Sequence, residues 1–279
     1  MEQMPFDGIE LPYEVTGSGE PLLLVSTGPI ADSFLPFVSA HSIADRYRLI
    51  RYQQRRLSAG AGGSAAVSFA QHASDAVALM GHLGVDRVHV AGHSTGAAIA
   101  LQMAVDHPAL VHSLVLLEPP FLSVPSAAAF FEQAAPALVA YETGDRETAM
   151  VLFLRMVCSL DWDTCSNLVE QHVPGGVARA IEDADNFFAS YLPALSAWNF
   201  GVAQAAAIRQ PILSVWGTDT QRLFADGQDV LRACFPQLEE CVIDGVAHLL
   251  HFQRVEPVAR GVAAFLARHP VQRLLEAAT

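Results

Sequence analysis

Apolar and polar positions alternate from Ile9 to Val15, and a turn follows at Gly17-Ser18-Gly19. A period of two predicts a strand with one covered face. Unbroken apolar runs come next: Pro21-Leu-Leu-Leu-Val-Ser and Tyr47-Arg-Leu-Ile-Arg-Tyr both predict buried strands. From Ser68 to Leu83 the period lengthens to that of a helix. Phe69, His72, Ala73, Ala76, Leu79, Met80 and Leu83 share one face, and Gly84 ends the run. Arg87 to Ala91 predicts a strand. Ser94 to Val105 predicts a helix that stops near His107-Pro108, and Val111 to Leu117 a strand closed by Glu118-Pro119-Pro120. Late in the chain Pro211 to Trp216 predicts a strand, Arg222 to Cys234 a helix, Glu240 to Ile243 a strand and Val255 to Arg268 a helix. Strand and helix alternate in units of about thirty residues, which predicts a mostly parallel central sheet with helices on both faces.

Between Phe121 and Ala207 the alternation stops. Ala-rich segments at Ala127–Tyr141, Arg146–Cys158 and Gly176–Leu192 predict helices. The stretch is too long for a plain connection. Residues 121–207 therefore read as a helical cap inserted after the strand that ends at Glu118. Residues 1–120 and 208–279 form the core. A cap in that place covers the strand ends, where open α/β sheets bind ligands. Ser58 to Ala66 is a small-residue tract and reads as a flexible loop.

Composition narrows the function. The chain has 279 residues, of which 52% are hydrophobic and 16% charged, enough for a large core and unlike a disordered chain. The net charge is −13, and no basic cluster stands out beyond Arg46 to Arg56, so neither nucleic acid nor an anionic membrane is an expected partner. The first fifteen residues lack the basic and apolar regions of a signal peptide, and no uncharged apolar run reaches the roughly 18 residues of a membrane helix. A cytoplasmic location is expected. Cys158, Cys165, Cys234 and Cys241 match no zinc or redox spacing and read as buried thiols.

The candidate chemistry lies in Gly92-His93-Ser94-Thr95-Gly96, where a predicted strand gives way to a predicted helix. A turn that tight holds its serine in a strained conformation, leaves no room for side chains on either flank, and lifts the hydroxyl clear of the sheet. Serine needs a base, and the base needs an acid. Of 11 histidines, His248 is preferred, because its loop follows the last predicted strand. His251, three residues on, is the rival. His93 reads as packing. No H-E-x-x-H spacing or other metal or cofactor motif is present, so neither a metal nor a cofactor is expected.

With these residues the chain resembles the α/β-hydrolase superfamily over nearly its full length. It shares the nucleophile elbow, an insertion after the following strand, and a late Gly245-x-x-His248 loop. The resemblance implies the order serine, acid, histidine. Most members place the acid three residues beyond a glycine after the strand that follows the cap. Here that position is Thr220, and Asp219 lies one residue early. Glu118-Pro119-Pro120 is similar to the acid site of the fungal zearalenone lactonases, a Glu followed by Leu-Pro. Glu118 is therefore preferred as the acid, with Asp219 as the alternative. The resemblance also implies an oxyanion hole made by the Thr95 N–H and a donor from Ser26-Thr27-Gly28-Pro29. Thr27 replaces the histidine usual in relatives, and Pro29 has no N–H, which leaves Gly28. Gln53 to Ser58 departs from the Asp-x-x-Gly turn of relatives.

A Ser94–His248–Glu118 triad implies acyl transfer from an ester or lactone to water. Phe121, Phe130, Phe131, Trp162, Phe187, Phe188, Tyr191, Trp198 and Phe200 make the insertion aromatic. A bulky apolar substrate is expected, and the similarity to lactonases points to a macrocyclic lactone of the zearalenone or macrolide kind. A carboxylesterase for small esters, a C–C bond hydrolase, a cofactor-free perhydrolase and a small-molecule receptor of the same fold are the alternatives.

Overall fold

The computed structural model describes residues 1–55 and 67–271, and the Ser58–Ala66 tract lies outside the described residues. Eight strands form one sheet in the order β1-β2-β4-β3-β5-β6-β7-β8. They are β1 Glu2–Phe6, β2 Ile9–Thr16, β3 Glu20–Val25, β4 Tyr47–Tyr52, β5 Val88–His93, β6 Val111–Leu117, β7 Ile212–Gly217 and β8 Glu239–Ile243. β2 runs antiparallel to both β1 and β4; every other neighbouring pair is parallel. β1 adds a strand that the run from Ile9 does not announce. Its signal is Asp7-Gly8, with φ of 51° and 75°, the left-handed pair that a tight hairpin requires.

The unbroken apolar runs are explained by burial on both faces. Leu23, Val25, Val90, Leu114 and Leu116 pack toward α3 (Phe69–His82) and α4 (Thr95–Asp106). Leu22, Leu24, Ala91, Val115 and Leu117 point the other way. There they meet the short helices Leu35–Val38 and His41–Ala44 (α1 and α2) and Val258, Val262 and Phe265 of the C-terminal helix Val255–Arg268. Adjacent residues of one strand thus serve opposite layers, as a pleat dictates.

After β6 the chain runs through α5 (Ala127–Glu142), α6 (Arg146–Cys158), α7 (Trp162–His172), α8 (Gly176–Glu182), α9 (Ala184–Asn186), a π-turn at Phe187–Tyr191, α10 (Leu192–Ala197) and α11 (Val202–Ala205) before reaching β7. α7 goes unmarked in the apolar pattern. Asp161 starts it, accepting from the Thr164 N–H at 3.0 Å. The single helix predicted over 176–192 is instead broken. Pro193 has no N–H and crowds the carbonyl one turn back. The hydrogen-bond ladder widens to the π-turn just before it. α12 (Arg222–Cys234) and α13 (Leu250–Gln253) complete the helices ahead of the C-terminal α14 (Val255–Arg268).

Candidate active site

From β3 the chain crosses to β4 on one side, and β5 then returns on the other. That reversal is a topological switch point, where open sheets leave a crevice. The loops after β3, β5, β6, β7 and β8 all emerge at this edge, and they carry Gly28, Ser94, Glu118, Thr220 and His248 respectively.

Ser94 joins β5 directly to α4 at φ 54° and ψ −121°. A non-glycine residue there carries strain of roughly 1–3 kcal/mol. The flanking glycines are needed for contact, not flexibility. A Cβ on Gly92 would lie 2.3 Å from the Gly96 carbonyl oxygen, and one on Gly96 would lie 2.1 Å from that of Val25. Strand, helix and neighbouring strand meet this closely only without side chains.

Glu118 sits one step past β6, also left-handed at φ 46°. Its buried carboxylate is fully engaged. Oε1 accepts the Gly217 N–H at 2.9 Å, while Oε2 accepts the Thr220 hydroxyl at 2.9 Å and lies 2.7 Å from His248 Nδ1. Thr220, in the position where an acid is usual, serves Glu118 as a donor. Asp219 lies outside the cluster. It is exposed, with its carboxylate accepting from the Thr218 hydroxyl at 3.2 Å, and it makes none of the contacts that join Glu118 to His248. The reason is the turn after β7, which directs residue 220 inward and residue 219 to solvent.

The His248 ring stacks on Phe224 at 3.9 Å and 13°. Facing a carboxylate, Nδ1 carries the proton, which leaves Nε2 as an acceptor. His251 takes no part in the Glu118 contacts. It is buried on the other side of the loop against Phe34, Phe37 and His93. His93, expected only to pack, also holds the loop: its Nε2–H donates to the His248 carbonyl at 3.0 Å. No spacing in the sequence signals that bond.

The β3 loop differs from expectation. The Gly28 N–H donates to the Thr95 hydroxyl at 2.9 Å instead of facing the space beside Ser94. Of Gln53–Ser58, residues 56–58 lie outside the described residues; Gln54 has a positioning role. Its amide donates to the Ser26 carbonyl at 2.7 Å and accepts from the Tyr191 hydroxyl, tying the loop to the π-turn.

A sequence model described as the α/β hydrolase fold matches residues 26–255. The chain belongs to that family. A putative carbamate hydrolase RutD of Variovorax paradoxus is 38% identical over 115 residues, 38% of this chain and 41% of that protein. A non-heme haloperoxidase of Rhodococcus erythropolis is 36% identical over 119 residues, 38% of this chain and 40% of that protein. The matched segments thus span about two fifths of these relatives. The enol-lactonase of Burkholderia xenovorans LB400 superposes with a TM-score of 0.74 at 18% identity, covering 95% of this chain and 100% of its own. A thermophilic esterase of Thermogutta terrifontis gives 0.72 at 19% identity, covering 97% and 100%. These two likenesses show the fold.

In this α/β hydrolase a narrow cavity opens beside Ser94 and His248. Polar groups lie at that end; Ile30, Leu154, Val157, Leu192 and Leu195 wall the rest. Of the aromatic residues expected to face a substrate, Phe130 and Phe187 do so, and Phe153 and Phe224 join them. Phe121, Trp198 and Phe200 instead stack on one another at 5.3–5.9 Å. All four cysteines are free thiols, and Cys158 reaches the cavity wall. Among the described residues, no group of three or more His, Cys, Asp or Glu could hold a metal ion, and no helix is long and apolar enough to cross a membrane.

Burial holds His72 and His251 neutral, pushing each down to about 3, and pushes His93 well below its ordinary value. Unfolded, all three ionise near pH ~6.5. Acid therefore protonates the unfolded chain and not the folded one. Stability is fully present above about pH 6.5 and is lost as pH falls toward the folded values, at about 1.4 kcal/mol per pH unit for each histidine. Urea midpoints between pH 7.5 and 5 are expected to fall steeply. His251→Leu should flatten the slope by about one proton. An unchanged slope would show that His251 is charged in the folded protein.

Proposed function

We propose that this α/β hydrolase cleaves a carboxylic ester or lactone through Ser94, His248 and Glu118. The observation that carries the proposal is the buried 2.7 Å contact of Glu118 with His248 Nδ1, at the mouth of a cavity that Ser94 and His248 both line. Ser94 Oγ attacks the carbonyl as His248 Nε2 takes its proton. The Thr95 N–H at the start of α4 faces the developing oxyanion. His248 then returns the proton to the departing oxygen. Water, deprotonated by the same nitrogen, releases the acyl group from Ser94. Glu118 holds the tautomer and offsets the imidazolium charge.

The walls bear on the substrate. Past the catalytic end the lining offers no charged side chain, which favours an apolar acyl or ring portion. Residues 121–207 act as the cap that supplies most of this wall. The cavity is slim, so small lactones and esters with apolar acyl chains fit best. A macrocyclic lactone of the zearalenone or macrolide kind is the bulkier case and needs α6 to part from the π-turn. Two proteins sharing the fold are named as an enol-lactonase and as an N-acyl homoserine lactone degrading enzyme, in keeping with lactone chemistry.

The test is a mass-spectrometric screen of simple esters, small lactones and macrocyclic lactones. Ester cleavage and ring-opening, seen as the gain of one water without fragmentation, are expected for apolar members. A burst that stops at one equivalent would turn the reading to a receptor. No product from any class would overturn it.

A further inference from the structure

The Gly28 amide is held from several sides. Its N–H is spent on the Thr95 hydroxyl at 2.9 Å. One peptide unit back, the Ser26 carbonyl is bound by the Gln54 amide at 2.7 Å. The Thr27 N–H donates to the Ser33 hydroxyl at 3.3 Å. The Tyr191 ring lies so close over Gly28 that a Cβ there would sit 2.8 Å from it. Gly28 is thus fixed with its donor aimed at Thr95, and it does not line the cavity beside Ser94, whereas Thr95 does. The Thr95 hydroxyl accepts from Gly28 and keeps its own proton. Its other polar neighbour, Thr27 Oγ1, lies at 3.4 Å, long for a hydroxyl–hydroxyl bond.

We propose that the Thr95 hydroxyl, backed by the Gly28 N–H, is the second donor to the oxyanion, so that one residue supplies both a backbone and a side-chain donor. This rests on the serine-hydrolase reading above. No bond to Thr95 forms or breaks. The hydroxyl donates a hydrogen bond to the carbonyl oxygen as negative charge develops there, and the Gly28 N–H strengthens that donation by polarising it. The hydroxyl is shorter-ranged and more adjustable than an amide, since it can turn toward the oxygen as the centre becomes tetrahedral.

Thr95→Val keeps the shape and removes the donor. Thr95→Ser keeps the donor, and Thr95→Ala is a second deletion should the valine protein fail to fold. On an ester the wild type hydrolyses, Thr95→Val and Thr95→Ala should lower kcat by about 10²- to 10³-fold, with KM within about threefold. Thr95→Ser should stay within about tenfold of wild type. If Thr95→Val or Thr95→Ala turns over as fast as wild type, or faster, the hydroxyl only caps an idle Gly28 and the proposal fails. It also fails if Thr95→Ser loses as much as Thr95→Val, or if the loss lies in KM. Labelling with a fluorophosphonate separates the two levels. Wild type that takes the probe on Ser94, with an unimpaired Thr95→Val, brings down this proposal alone. Wild type that takes none brings down the serine-hydrolase reading with it.

Discussion

Ser94→Ala is expected to abolish ester turnover, by roughly 10⁶-fold in kcat where Ser94 acts as nucleophile. The fold should not suffer. Ser94 makes no side-chain cap for α4, so no helix contact is lost with the hydroxyl. Its backbone already bears left-handed strain, and alanine bears the same. Ser94→Gly makes the sharper comparison. Glycine visits φ 54° freely. That variant should be equally inactive and more stable by about 1 kcal/mol, near the low end of such strain. Urea denaturation beside the activity assay reads both effects. An inactive, stabilised glycine variant would mean that the strain exists to present the hydroxyl. A glycine variant no more stable than wild type would mean that the turn costs nothing, and an active alanine variant would remove Ser94 from the mechanism.

The second large effect belongs to Glu118. Glu118→Gln should lower kcat by about 10⁴-fold, the usual consequence of neutralising a triad acid. The hydrogen bonds show why. The Gly217 N–H requires an oxygen at the Oε1 position, at 2.9 Å. The new amide nitrogen must therefore occupy the Oε2 position, facing His248 Nδ1. It donates there, so the imidazole proton moves to Nε2, the atom that has to accept from Ser94. Asp219→Asn should change kcat less than threefold, roughly the scatter of an exposed substitution. Assays of both variants on one ester decide the acid. A mild Glu118→Gln beside a crippled Asp219→Asn would reverse the assignment.

How far the sequence could be read differs from element to element. The parallel strands were legible because burial on both faces demands unbroken apolar runs, as in Leu22–Val25 and Leu114–Leu117. Gly92 and Gly96 were legible because a contact near 2 Å admits nothing larger. β1 and α7 were not read from the apolar pattern. One depends on an Asp-Gly turn and the other on an aspartate cap, both short signals beside a long periodic one. The π-turn at 187–191 escaped because Pro193 disturbs the ladder on its own N-terminal side.

The site divides along the same line. Sequence alone determined the fold family, the strained serine and a histidine in the loop after the last strand. Each of these follows from local backbone demands or from chain order. Only the tertiary structure set Glu118 and not Asp219 against His248, turned Thr220 from an expected acid position into a donor, gave His93 and Gln54 their positioning bonds, and spent the Gly28 N–H on Thr95. Each of those joins residues 28 to 155 positions apart, with bond partners set by how loops from different strands meet at one edge of the sheet. A hydrogen bond needs its donor and acceptor placed to within a few tenths of an ångström. Apolar periodicity sets which face of an element is buried and leaves that placement to the packing of the whole.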